Sequence, residues 1–181
     1  IDKIKQKTDE QKATYQRICY TRATELFHDL RFKRAVHYLK RSDKFPVDPK
    51  ISSKALFWQA EAYARMKKWK AAEEHYKLFL DAPSVIGSSE FGLAHYGLAY
   101  VQFENDQYEP ATNWFRKFVD YENQDSLRVN DGLLRIADSY YLQKQNKLAI
   151  QYYDKAIKYN KFDTDYAIFQ IAVCYRLEGQ N

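Results

Sequence analysis

The sequence predicts an all-α protein of stacked helical hairpins, and three observations carry that prediction. Gly (5) and Pro (4) are scarce in 181 residues, which disfavours a turn-rich β-sandwich and favours long helices. Four alanines, Ala35, Ala72, Ala111 and Ala149, recur at spacings of 37, 39 and 38 residues. A second set of small residues, Ala23, Ala60, Gly97, Ala137 and Ala172, precedes them, each followed three residues later by Leu26, Tyr63, Tyr100, Tyr140 and Tyr175.

The leading helix of each hairpin carries the small-x-x-Tyr/Leu pair. The second helix carries the alanine, followed four residues later by Leu39, Tyr76, Phe115 and Tyr153. An aromatic stands three residues before it in the first three copies (Phe32, Trp69, Tyr108), and Asn146 stands there in the fourth. Spacings of three and four place these residues on one helical stripe. The polar breaks between them, such as "RMKK" (65–68) and "ENDQ" (104–107), leave room only for a tight helix–helix turn. Small residues let two helices approach, and the rings around them fill the remaining space. One hairpin cannot bury both faces, so neighbours stack.

Taken in order, the hairpins span about 8–46, 50–86, 87–125 and 126–162, with a fifth begun at 163–181. Tyr100 to Tyr108 is two residues longer than Tyr63 to Trp69, so the third copy reads as having a longer internal turn. The chain begins at Ile1 and stops in "RLEGQN", where a turn would start, and reads as a single repeat segment cut from a longer protein.

The stretches "QAEAYARMKKWKAAEEHYKLFLDAP" (59–83), "YGLAYVQFENDQYEPATNWFRKF" (96–118) and "IADSYYLQKQNKLAIQYYDKAIKYN" (136–160) resemble the tetratricopeptide repeat family. "RATELFHDLRFKRAVHYL" (22–39) is a looser copy. The resemblance implies a right-handed α–α superhelix of about four and a half repeats. The period of 37–39 exceeds the usual 34, and Pro follows the second helix only at Pro46 and Pro83. A lengthened repeat of this kind resembles members that serve the cell envelope, in Tol–Pal, outer-membrane assembly and secretion machinery. That implies a periplasmic or envelope location, with a cytoplasmic adaptor as the alternative.

The net charge of +5 admits an acidic partner, but the basic residues are spread out, densest in Ile1–Lys7 and around Arg31, Lys33, Arg34, Lys40 and Arg41. Those clusters read as solvated helix faces, and "MKKWK" (66–70) as a hairpin bend. No run of 18 apolar residues exists to span a membrane.

No catalytic, cofactor or metal motif is present. His28, His37, His75 and His95 form no i,i+4 pair, and Cys19 and Cys174 are too few for a zinc site. Ser84, Ser88 and Ser89 have no base nearby in sequence. The chain is therefore expected to be a non-catalytic scaffold without cofactor.

The resemblance implies that leading helices line a concave groove. Its residues would be Tyr20, Thr24 and Phe27, then Phe57, Glu61 and Ala64, then Ala94, Leu98 and Val101. Leu134, Asp138 and Tyr141 follow, and Phe169, Val173 and Arg176 complete the set. That surface reads as apolar and aromatic, suited to a protein or peptide partner. The Lys, Asn and Arg clamp by which some members hold a terminal carboxylate is missing. Helical-repeat nucleic-acid binding is the alternative, disfavoured by Glu61 and Asp138 in the groove. The truncated ends would allow self-association.

Overall fold

A computed structural model describes residues 7–83, 85–122 and 125–179. Ser84 and, apart from Lys7, the Ile1–Lys7 cluster lie outside the described residues. Among the described residues every regular element is a helix: α1 (Asp9–His28), α2 (Phe32–Ser42), α3 (Pro49–Arg65), α4 (Trp69–Leu80), α5 (Ser89–Phe103), α6 (Tyr108–Tyr121), α7 (Ser126–Leu142), α8 (Asn146–Tyr159) and α9 (Thr164–Leu177). They fall into two compact units, Ile1–Ala94 and His95–Asn181, with the division inside α5. In the first, α1 packs on α2, α2 on α3 and α3 on α4; in the second, α6 packs on α7, α7 on α8 and α8 on α9.

Three leading helices start on side-chain caps. Thr8 and Gln11 form a capping box at α1, Asp48 caps α3 ahead of Pro49, and Asp125 caps α7. The second helices start differently. Leu30, Lys67, Asp106 and Lys144 have φ of 60°, 56°, 58° and 59°. After each, the next N–H returns to a carbonyl five residues back: Arg31 to Leu26 (2.8 Å), Lys68 to Tyr63 (2.9 Å), Gln107 to Gln102 (2.8 Å) and Gln145 to Tyr140 (2.9 Å). This Schellman-type closure reverses the chain within a few residues, at about 1–2 kcal/mol for a left-handed non-glycine residue.

The shared turn fixes the register of the third hairpin, and corrects the sequence reading. The carbonyl that closes its turn belongs to Gln102, so Gln102 is the counterpart of Tyr63 and Tyr140. The small residue is therefore Ala99, fully buried, whereas Gly97 is only half-buried. The turn has no two-residue insertion. Gly97-x-x-Tyr100 imitates the repeat motif two residues early.

Ala23, Ala60, Ala99 and Ala137 on leading helices, and Ala35, Ala72, Ala111 and Ala149 on second helices, are all buried. Leu39, Tyr76, Phe115 and Tyr153 are buried one turn beyond the second set. On α9 the pattern has no cover: Ala172 is exposed and Tyr175 is 43% exposed, because no described helix follows. Both cysteines are buried thiols.

The loops between hairpins are held by buried amides. Gln16 Oε1 accepts from Asp48 N (2.8 Å), and its Nε2 donates to Asp48 O (3.1 Å). Asn130 repeats this on Lys161 N and Phe162 O, both at 3.2 Å. Each stands seven residues before its repeat's small residue, Ala23 or Ala137. Each satisfies backbone groups that the loop alone cannot.

Candidate functional site

Each unit carries a candidate face of its own on its leading helices. On α3, Lys54, Trp58 and Glu61 follow at i, i+4 and i+7; on α7, Asp131, Arg135 and Asp138 do the same. Both triplets occupy the same places relative to Ala60 and Ala137, so helical geometry stacks each along one stripe.

In the first unit, Trp58 Nε1 donates to Tyr20 Oη (3.1 Å), joining α3 to α1. The Trp58 ring meets Phe27 edge-on at 4.9 Å and His28 at 5.9 Å between centroids. Lys54 Nζ pairs with Glu90 at 2.8 Å. Burial opposes the Glu90 carboxylate, yet Lys54 and the Ser89 hydroxyl hold it below its usual range. Glu61 accepts a 2.5 Å hydrogen bond from Tyr76 Oη. Burial, reinforced by that carboxylate, holds the Tyr76 phenol in its neutral form far above the ordinary range.

In the second unit, Arg135 lies between two carboxylates, 3.4 Å from Asp131 and 2.6 Å from Asp138. Tyr96 and Tyr100 donate to Asp131 Oδ2 at 2.7 and 2.5 Å. Tyr153 and Tyr166 donate to Asp138 Oδ1 at 2.7 and 2.8 Å. Burial pushes the Tyr166 phenol up to about 12, and Asp138 adds to the shift. Tyr96, Tyr100 and Tyr153 move the same way, burial first and their carboxylate second. Burial opposes the Arg135 charge, but the Asp138 carboxylate and its neighbours outweigh it and strengthen it. The cluster carries one net negative charge, with its hydroxyl protons directed inward onto carboxylates and phenol rings around its edge.

The residues expected in a groove separate into two groups. Tyr20, Thr24, Phe27, Glu61, Ala64, Tyr141 and Val173 are partly exposed, and Phe169 and Arg176 are exposed. Phe57, Ala94, Leu98, Val101 and Leu134 are buried, and the expectation of an open apolar surface there is corrected. Phe57 is covered by Tyr76 and Phe79 of α4, and Leu134 belongs to the core of the second unit. Ala94, Leu98 and Val101 followed from the displaced register. Counted from Ala99, the same places hold Tyr96, Tyr100 and Phe103, which are partly exposed. Asp138 is buried too, as the acceptor at the centre of the network.

Sequence reasoning missed Lys54, Trp58, Asp131, Arg135, Tyr96, Tyr100 and Tyr166. The recurrence of charged or aromatic residues six and two places before the small residue was the signal for the first four. Among the described residues no group of His, Cys, Asp and Glu could hold a metal ion, and no helix is long and apolar enough to cross a membrane.

The tetratricopeptide repeat family model matches residues 54–82 and 131–161. These cover most of α3–α4 and of α7–α8, two of the hairpins defined above. Several solved structures share the fold. MamA from Desulfovibrio magneticus RS-1 is 14% identical with TM-score 0.74, over 92% of this chain and 86% of that one. YrrB, described as a TPR protein with an unusual peptide-binding site, is 15% identical with TM-score 0.73, over 90% and 77%. A putative kinesin light chain of Podosopora anserina with TPR-like repeats is 15% identical with TM-score 0.66, over 91% and 87%. No curated protein matches the sequence.

Proposed function

We propose, from the premise that the chain is a tetratricopeptide-repeat protein, that it scaffolds an assembly by holding a protein or peptide partner on its leading helices. Repeats of this family are non-catalytic interaction modules. The observation that carries the reading is the pair of matching stripes. Lys54–Trp58–Glu61 and Asp131–Arg135–Asp138 set rings and charges side by side on the face where the aliphatic residues are buried. The partner surface is thus aromatic and ionic rather than broadly apolar. Rings give contact area at low entropic cost, and fixed charges set register. A relative of the same fold described as peptide-binding supports the reading.

The test is partner capture by the chain and by variants that keep the fold. Tyr20→Ala, Glu61→Gln and Tyr141→Ala alter this face; Tyr20 and Tyr141 also pack on the edge of the core, so the fold of each variant is checked alongside. Each is expected to weaken capture about tenfold or more if it meets the partner's anchor residues. Undiminished capture by all three, with unchanged circular dichroism, would sink the proposal.

The period of 37–39 and the prolines at 46 and 83 support placing the scaffold in a cell-envelope assembly or secretion complex. Fractionation of cells producing the full-length protein tests this. Recovery solely with the cytosol would favour a cytosolic adaptor.

A further inference from the structure

The turn end of the first unit has features that packing does not call for. Leu30 is 73% exposed, at a left-handed position that suits Gly, Asn or Asp and that the other three turns fill with Lys67, Asp106 and Lys144. Beside it is a hollow of about 320 Å³ lined by Leu30, Phe32, Met66, Arg31, Lys33 and Arg34. It joins the first two turns, which the sequence separates by more than thirty residues. The second turn adds Arg65, Lys67, Lys68 and Lys70, all exposed. Across residues 29–34 and 65–70 the single acid is Asp29.

None of Arg31, Lys33, Arg34, Lys67, Lys68 and Lys70 makes an ion pair among the described residues. Nor does the turn geometry require cations. The third turn has the same backbone and carries Glu104, Asp106 and Glu109.

We propose that this end of the first unit docks an acidic protein segment bearing one large apolar side chain, seated on Leu30 and Met66 with its carboxylates on the surrounding cations. Charge complementarity sets the partner's sign, and the aliphatic floor sets its anchor. A nucleic-acid strand suits the site less well. Phe32 and Trp69 are half-buried, and Phe32 is turned edge-on against Phe27 at 5.2 Å, so neither ring is a fully exposed stacking platform. The site adjoins the leading-helix face at Phe27 but does not depend on the function proposed for that face.

The probe is a short fluorescent peptide with a central Phe flanked by Asp and Glu, its polarisation measured against the 181-residue chain. Controls are the same peptide with Ala for Phe, and a single-stranded oligonucleotide as competitor. Leu30→Asn removes the floor yet suits the left-handed turn, so the fold is kept. Lys33→Gln with Lys67→Gln reduces the charge. The Phe peptide is expected to bind, to weaken about tenfold or more with Leu30→Asn, and to weaken with added salt and with the charge variant. The Ala peptide is expected to bind as weakly as the Leu30→Asn chain binds Phe. Absence of binding at low salt overturns the proposal. So does indifference to Leu30→Asn, equal binding of the two peptides, or displacement of the Phe peptide by a lower concentration of oligonucleotide.

Discussion

Asp138 shows how much can rest on one side chain. It is 5% exposed, accepts hydrogen bonds from two phenols and faces Arg135. Asp138→Ala leaves the buried Tyr153 hydroxyl without its acceptor and the partly exposed Arg135 with Asp131 alone. We predict a loss of about 1–3 kcal/mol in urea unfolding, because a buried hydroxyl is left unsatisfied while solvent and Asp131 still reach the guanidinium. Asp138→Asn keeps an acceptor oxygen and should cost less. Tyr166 makes a pH prediction. Its phenol is raised in the fold, so its stabilising contribution is full below the ordinary value of 10.0 and is lost as pH climbs from there through about 12. Ultraviolet titration of the chain against Tyr166→Phe should remove a phenol ionising near 12; an unchanged curve would contradict the assignment. Asp138 was legible in the sequence as a place on the leading helix. Its role as an acceptor for Tyr153 and Tyr166 was not, because those partners lie fifteen and twenty-eight residues away.

For the helices, the third hairpin is the instructive case. Helical periodicity locates a stripe well, but two small residues two places apart can each claim its centre, and Gly97-x-x-Tyr100 carries the more familiar motif. The backbone settles the matter at the turn, where Gln102 supplies the closing carbonyl. Two substitutions test the corrected register by thermal or urea unfolding. Ala99→Leu should cost about 1–3 kcal/mol by overpacking a closed contact. Gly97→Ala should be neutral or stabilise by up to about 1 kcal/mol, through helix propensity. The reverse order would restore the uncorrected alignment. The loops between hairpins rest on buried amides in the same way. Asn130→Ala leaves the Lys161 N–H and the Phe162 carbonyl without their partner, at an expected cost of about 1–3 kcal/mol.

At the level of the whole chain, the all-α repeat class was legible because its cause is local. Small residues at a period near 38, with aromatics three and four places away, can bury themselves only by stacking hairpins. The leading helices were legible as elements, but the burial of the residues on them was not. Burial depends on which neighbouring helix covers a residue, so Phe57 and Leu134, apolar and well placed, belong to the interior. The ionic and aromatic residues left on the leading helices are the ones that the proposed partner would meet. Photo-crosslinking tests this directly. A photoreactive amino acid is placed at Thr24, Glu61 or Tyr141 on the leading helices, and at Glu74 or Lys155 on the second helices, in cells that make the full-length protein. The predicted result is a shared crosslinked partner from the first three sites and none from the last two. Crosslinks to that partner confined to Glu74 and Lys155 would contradict it.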